Sequence, residues 1–455
     1  MSYQLVITNR NYETLRQLLF TSDGAENAAF LLCGRSSHDR SLRLLAHTVV
    51  PVPLDAYGSR TVDQLEILPG FINHVVDLAT VQHWSLVVVH SHPSSQKASF
   101  SASDDFGESQ LMPVLGDLVP VPHATLLLTP QDWLGRQWSK GQIEPLDSFA
   151  VRGLVISTQN RVDSIHPQNT AFDRQLRFWG SAGQARVANL RVGIVGLGGT
   201  GSSVAEQLCR LGVQDFVLID PDELDDTNRS RVYGAHAQDR AGVPKAAILT
   251  RHLESIAVQP VQVRTEVESV VVQSCVEELR DRDVVLCCTD NLLSRAVLNR
   301  FAYQYIVPMV DMGVRIDARN GRFAGAAGRV TLVGPDLACL RCSGHLDPNV
   351  LREELLATEE RNKLLQEGYI QGVWEPQPAV ISLNSTVASL AVTALLNLVN
   401  ALYPPQLEQV YDVLSGTVFV AEVRRSPYCE VCSEHGLTGL GDQQPVSTFE
   451  RVVPA

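Results

Sequence analysis

Apolar positions in the first third of the chain fall into short runs and amphipathic stretches that predict a compact α/β unit. They give a helix near Tyr12 to Phe20, a strand from Ala28 to Gly34, a strand from Leu42 to Val52 and a second helix near Leu68 to Thr80. The run Ser85-Leu-Val-Val-Val-His90 has no polar alternation and reads as a buried strand. It opens into a polar loop, His90 to Ser99, and Ser101-Ala-Ser-Asp104-Asp then carries a helix-start signature, with serine suited to the cap and acids to the first-turn N–H groups. The stretch Lys140 to Pro167 has no long periodic run and reads as a linker. From Phe172 the pattern becomes strand, glycine turn, helix, strand: Leu190 to Val195, Gly196 to Gly201, Ser202 to Leu211, Phe216 to Asp220. That is the opening βαβ unit of a doubly wound parallel sheet. The expected fold class is α/β, with an N-terminal domain over 1–145, a linker over 146–167, a Rossmann-like domain over 168–435 and a polar tail over 436–455.

Composition narrows the function classes. A length of 455 residues with 45% hydrophobic residues suits two or three folded domains rather than disorder. The formal charge of −13 comes without any cluster of lysine and arginine, so nucleic acid is not an expected partner. The opening MSYQLVITNRNYETL lacks a basic segment followed by an apolar one, and no apolar run approaches the roughly 18 residues of a membrane helix. No membrane association and a cytoplasmic location are therefore expected. Nine cysteines make an odd count for a disulfide framework, and four of them form two CxxC pairs, which points to a metal and buried thiols in a reducing compartment.

Two histidines, His90 and His92, stand at the end of the buried strand, and Asp104 stands in the first turn of the next helix. Three N/O ligands leave a fourth zinc position open for water, as in catalytic rather than structural zinc sites. Such a metal brings the water's pKa from about 16 to near 7. Glu26, just before a strand, is the candidate base, and Ser101 could donate its hydroxyl to the oxyanion formed on the attacked carbonyl. Glu26-Asn-Ala-Ala-Phe-Leu-Leu-Cys-Gly34, His90-Ser-His92-Pro and Ser101-x-x-Asp104 together resemble the JAMM motif of JAB/MPN zinc metallopeptidases. The resemblance implies a deubiquitinase-like isopeptidase domain with the same assignment of base, ligands and oxyanion donor. The gap from His92 to Ser101 is one residue longer than the common family spacing, and Asp105 stands beside Asp104.

Gly196-Leu-Gly198-Gly199-Thr-Gly201 lies between a strand and a helix, where glycines let backbone approach a nucleotide. Many nicotinamide and flavin enzymes share such a turn, and Asp220 would bind ribose in any of them. Asn228, Arg231 and Lys245 favour a triphosphate instead, since an amide and two cations suit its charge. Val284-Val-Leu-Cys-Cys-Thr-Asp290-Asn291 reads as a buried strand ending in a carboxylate placed to hold Mg²⁺. With Phe172-Asp-Arg174-Gln-Leu-Arg-Phe-Trp-Gly180, Ile219-Asp220-Pro-Asp222 and Pro244-Lys245, these motifs are similar to those of ubiquitin-activating enzymes and bacterial ThiF-type relatives that activate sulfur carriers. The resemblance implies ATP and magnesium, ribose on Asp220, phosphates on Asn228, Arg231 and Lys245, and an Arg174 that reaches into the partner's site of a homodimer.

Cys339-Leu-Arg-Cys342 and Cys429-Glu-Val-Cys432 form a four-thiolate set suited to a structural zinc. The two resemblances together imply ATP-dependent adenylation of the C-terminal glycine of a ubiquitin-like protein, combined with zinc-dependent cleavage of that same protein, as in bacterial conjugation operons. The alternative is activation of a sulfur carrier for thiocarboxylate synthesis, with the first domain trimming the carrier. Ser343 to Pro378, where activating enzymes usually carry their thioester cysteine, contains none, so transfer to a separate conjugating protein is expected.

Overall fold

The computed structural model describes residues 1–39, 41–139, 141–160, 170–319, 322–356, 360, 363, 378–446 and 448. Much of the segment 343–378 lies outside the described residues. Two large sheets organise the chain, and both belong to mixed α/β layers.

The first sheet has nine strands in the spatial order Ser157–Asn160, Ser148–Arg152, Ser2–Thr8, Ser41–Pro51, Ala28–His38, Ser85–Ser91, His123–Leu128, Trp133–Ser139 and Gln142–Pro145. Strand Ser2–Thr8 runs parallel to both neighbours, while Ala28–His38 runs antiparallel to Ser41–Pro51 and to Ser85–Ser91. Helix Asn9–Leu19 buries Leu15 and Leu19 against one face, and helices Pro69–Gln82 and Ala102–Leu118 pack on the other side. The stretch expected to be a linker instead holds Ser148–Arg152, a wholly buried strand paired in parallel with Ser2–Thr8. Residues 144 apart in sequence hold it there, and local periodicity carries no sign of such a partner.

The second sheet runs Gln262–Glu266, Asp215–Ile219, Arg191–Val195, Val284–Cys287, Met309–Arg319, then antiparallel Arg322–Val333, Glu408–Asp412 and Thr417–Val420. The first five strands are parallel and have the chain order 3-2-1-4-5, the doubly wound arrangement. Their order reverses between Arg191–Val195 and Val284–Cys287, and the carboxyl ends of that pair are the switch point at which open α/β sheets form a binding crevice. Helix Ile381–Asn400 corrects the expectation that no apolar run reaches membrane length: its mean hydropathy is 1.5 over 18 residues. Its buried side, including Val387, Ala391 and Leu395, shares a core with Val204, Ala205 and Leu208 of helix Gly199–Leu211.

The sheets pack on each other. Val6, Leu45 and Ala150, neighbours across three strands of the first sheet, enter one core with Val217, Ile219 and Val285 of the second and with Val270, Tyr303 and Tyr305 outside its strands. Arg152, fully buried, donates to Asp283 at 2.7 Å, and Asp283 also takes Arg191 at 2.9 Å. Residues 437–446, expected to be polar tail, form a strap between the sheets. Asp442 N–H donates to the Arg35 carbonyl at 2.6 Å, Tyr305 Oη to Asp442 Oδ1 at 3.0 Å, and Gln304 Nε2 to the Gly441 carbonyl at 3.0 Å. A side chain at Gly34 would begin 2.1 Å from the Gly439 carbonyl oxygen, so only glycine admits the strap there.

Candidate functional site

Strand register builds the first cluster. Ala28 pairs with His90 across antiparallel strands, so continuing the ladder by two residues sets Glu26 opposite His92. His90 and His92, two apart, point to the same side. Glu26 is further fixed by a small hairpin, Tyr57–Arg60 with Leu65–Ile67: its N–H donates to Thr61 at 2.8 Å, and Arg60 Nε donates to Asn27 Oδ1 at 2.8 Å. The sequence reading did not include Arg60, whose role comes from a loop distant in sequence.

Asp104 arrives from helix Ala102–Leu118. Its Oδ1 lies 3.2 Å from His90 Nε2 and its Oδ2 lies 3.5 Å from His92 Nε2, while Glu26 Oε1 lies 3.5 Å from His92 Nε2. Asp105 turns away and takes Arg136 at 2.7 Å, so that Asp104 is the acid facing the imidazoles. Ser101 and Asp104 form a reciprocal cap, with Ser101 Oγ accepting from Asp104 N–H at 3.1 Å and Asp104 Oδ2 accepting from Ser101 N–H at 2.7 Å. The Ser101 oxygen therefore holds the helix start, leaving its O–H proton for any second partner.

The electrostatics are those of half-buried imidazoles facing carboxylates. Burial opposes ionisation of Asp104, yet the attraction of the facing His90 and His92 imidazoles outweighs it and holds the carboxyl well below the usual range. Burial pushes Glu26 up, against the pull of the imidazoles of His92 and His90. The hydrogen bond to Asp104 raises His92. One ligand atom from each of His90, His92 and Asp104 lies within 4.8 Å of the others, and the buried His90 Nε2 has no hydrogen-bond partner. An orphaned imidazole nitrogen facing a carboxylate and a second imidazole fits a zinc ion.

The second cluster surrounds the crevice. Gly196 has φ +87°, and a side chain there would start 2.8 Å from the Cys288 carbonyl. At Gly201 it would start 1.8 Å from the Gly196 carbonyl oxygen. Both glycines are thus required by the turn, whereas Gly198, capping helix Gly199–Leu211, faces open space. Gly199 lies against Arg231 and Asn384, whose Nδ2 donates to Thr200 at 2.8 Å and whose Oδ1 is buried without a partner. An open cradle of helix N–H groups with an orphaned amide oxygen at its side fits a polar ligand such as a nucleotide. Asn384 was absent from the sequence reading because its segment carries only an apolar helical signal.

Asp220 is buried and accepts from Leu197 N–H and from Asp222 N–H at 2.8 Å. Burial pushes its carboxyl up, opposed by Lys245 and those N–H groups. Lys245 Nζ lies 2.6 Å from Asp222 Oδ2 and 3.9 Å from Asp220 Oδ1. Asn228 is spent locally, its Nδ2 donating to Asp225 at 3.0 Å and its Oδ1 accepting from Asp225 N–H at 3.1 Å. Arg231 donates to the Thr227 carbonyl at 2.6 Å. Asp290 is exposed beside the turn, while Asn291 Oδ1 caps helix Leu292–Gln304 by accepting from Ser294 N–H at 2.8 Å. Arg174 is exposed on helix Asp173–Ala188.

Cys339, Cys342, Cys429 and Cys432 converge, with Sγ atoms 3.6 Å apart in the pairs Cys339–Cys429 and Cys342–Cys432. Zinc–sulfur bonds of about 2.3 Å in a tetrahedron set sulfurs about 3.8 Å apart, so the four thiols fit a structural zinc.

A family model described as the ThiF family matches residues 172–431, the span containing the glycine turn, Lys245 and three of the four thiols, with Cys432 just beyond it. The chain belongs to the ThiF family. The SAMP-activating enzyme E1 of Haloferax volcanii is 28% identical over 267 residues, 58% of this chain and 87% of that protein. The molybdopterin-synthase adenylyltransferase of Escherichia coli is 27% identical over 272 residues, 58% of this chain and 96% of that one. A crystal structure of E. coli MccB with ATP aligns at a TM-score of 0.47 and 18% identity, covering 58% of this chain and 75% of that one. The ThiF-family crevice and the His90 cluster lie on different sheets of one chain.

Proposed function

We propose that the ThiF-family domain uses ATP and Mg²⁺ to adenylate the C-terminal glycine of a ubiquitin-like or sulfur-carrier protein, and that the first domain, of JAB/MPN type, cleaves that same partner with zinc. The observation carrying the adenylation is the glycine turn with Lys245 beside Asp220 and Asp222 at the point where strand order reverses. Family membership and relatives named as an activating enzyme E1 and as an adenylyltransferase support it. In this reading the N–H groups of helix Gly199–Leu211 and the side chains of Arg231 and Lys245 receive phosphate charge, Asp220 receives ribose, and Asp290 supports magnesium. Lys245 exchanges its contact with Asp222 for the ligand. The partner's carboxylate attacks the α-phosphorus, pyrophosphate leaves, and the carboxylate becomes a mixed anhydride.

In the first domain His90, His92 and Asp104 would hold zinc, which supplies a water of lowered pKa and polarises the scissile carbonyl. Glu26, buried and facing His92, takes the water's proton and returns it to the leaving amine. Ser101 offers its O–H to the developing oxyanion. A sulfur-carrier substrate remains the second reading, favoured by a relative named as a ThiS adenylyltransferase in Bacillus subtilis. Direct transfer from the adenylate accords with the state of the other thiols. Burial pushes Cys209 up to about 11 and Cys275 up to about 12, far from a reactive thiolate.

Carrier-dependent exchange of labelled pyrophosphate into ATP tests the central reading. Exchange should be lost in Lys245→Ala, and equal exchange in that variant would remove the assignment. In the same incubation, an isopeptide-linked product or a thiocarboxylate separates the two substrate classes. The resemblance that sends Arg174 into a partner's site implies a homodimer with shared sites, so mixed Arg174→Ala and Lys245→Ala chains should regain part of the activity. No recovery despite subunit exchange would count against sharing.

A further inference from the structure

A cavity of about 780 Å³ lies between the two sheets, separate from the metal cluster and from the crevice. Its floor is a row of polar residues on neighbouring parallel strands: Gln4 pairs with Arg43 on one side and with Ser148 on the other. Two residues further along, the same strands carry Val6, Leu45 and Ala150, which pack into the second domain. The face thus changes from a dry contact to a polar one exactly one side-chain repeat away.

Arg43 is 2% exposed, and its Nη1 donates to the Arg280 carbonyl oxygen. Its Nε and Nη2 have no hydrogen-bond partner, nor has Gln4 Oε1 beside them. The carboxylates around the cavity are already engaged. Asp283 takes Arg152 and Arg191, and Asp281 takes Arg282 at 2.7 Å. Asp147 accepts from Tyr3 N–H at 2.7 Å, and Asp132 from Ala98 N–H at 2.9 Å. Among the described residues Arg43 has no ion pair. A guanidinium keeps its charge in a protein, and a buried unpaired charge is costly, so this cation calls for a counter-ion. Two free N–H groups on one planar fork match two oxygens of a carboxylate or phosphate. Trp133, Ile156 and Leu190 supply apolar wall, and the volume suits a small organic molecule.

We propose that this interdomain cavity is a binding site for a small organic oxyanion, a carboxylate or phosphate carried on a partly apolar body, with Arg43 as its anchor and Gln4 as an acceptor for a hydroxyl or amine on the ligand. The site joins the sheets through Arg43 and Ser148 of one domain and Arg191 of the other.

Calorimetric titration of the full chain with inorganic phosphate and, separately, with succinate tests this. At least one anion should bind saturably to the wild type and to Lys245→Ala, which alters only the nucleotide crevice. Binding should weaken about tenfold or more in Arg43→Met. Arg43→Lys, which keeps the charge and loses the fork, should fall between them. Phosphate preference identifies a phosphorylated ligand and succinate preference a carboxylate. If Arg43→Met fails to fold, Arg43→Lys carries the test, with Gln4→Leu beside it as a control: it should leave binding of the succinate dianion, which offers no donor to Oε1, unchanged, while Arg43→Lys still weakens it. Binding of neither anion to the wild type, or binding undiminished in the Arg43 variants, overturns the proposal.

Discussion

In the first domain the candidate groups are side chains aligned by strand register, whereas in the ThiF-family crevice much of the surface is backbone shaped by glycines. Glu26, His90, His92 and Asp104 already face one another within about one hydrogen-bond length or slightly more. Lys245, Asn228 and Arg231 instead hold on to Asp222, Asp225 and the Thr227 carbonyl. The first cluster is preorganised, and a single altered atom in it has no substitute. The second must trade internal contacts for a ligand, and its least replaceable parts are positions where no side chain fits.

Glu26→Gln breaks the comparison most sharply. It keeps size and loses only the proton-accepting oxygen, so cleavage of a fused ubiquitin-like substrate should fall by about 100- to 10,000-fold with zinc content unchanged and pyrophosphate exchange intact. Cleavage that survives, measured on metal-loaded protein, would remove Glu26 as the base. Gly201→Ala probes the other side. The added methyl would meet the Gly196 carbonyl, the turn must open, and exchange should drop by at least about 100-fold while cleavage persists. Wild-type exchange from that variant would mean that the turn does not shape the nucleotide site.

The smallest effect concerns the strap that touches both halves. His47 Nδ1 lies 2.6 Å from the Thr438 carbonyl, which makes it the protonated nitrogen, and the ring stacks on Trp84 at 4.8 Å. Burial lowers the His47 pKa from its ordinary 6.5, outweighing that hydrogen bond. Above 6.5 the ring is neutral folded or unfolded, and there is no penalty. As pH falls through 6.5 the unfolded chain takes up the proton first, so stability declines toward the lower folded value. His47→Gln, which keeps a donor to Thr438, should flatten the slope of melting temperature between pH 7 and pH 5. An unchanged slope would assign the acid sensitivity elsewhere.

The two sites were legible in the sequence to different depths. The grouping of His90, His92 and Asp104 was readable because these residues flank one strand and one helix start, and local spacing encodes both. The glycine turn and Lys245 were readable for the same reason. Strand Ser148–Arg152 was not, because its partner Gln4 is 144 residues away and its ends carry the composition of a loop. Residues 437–446 looked like a tail since only Leu437, Leu440 and Val446 are apolar among them, too few to make a period, and the strap meets Arg35 and Gln304 through its own backbone atoms. Asn384 was hidden in an apolar helix, and Arg43 looked like one polar residue in an alternating strand.

The strap also sets an order of events during synthesis. Arg35 and Asp442 are some four hundred residues apart, so the strand carrying Gly34 leaves the ribosome long before the segment that will cover it. At roughly 5–20 residues per second, that edge waits on the order of tens of seconds. Until then the Tyr303 and Gln304 side of the second sheet also lacks its neighbour. The nascent chain should therefore pass through a stage in which both sheets exist and their joint is open, the interval in which a chaperone, a protease or a second copy of the chain has the best access to it.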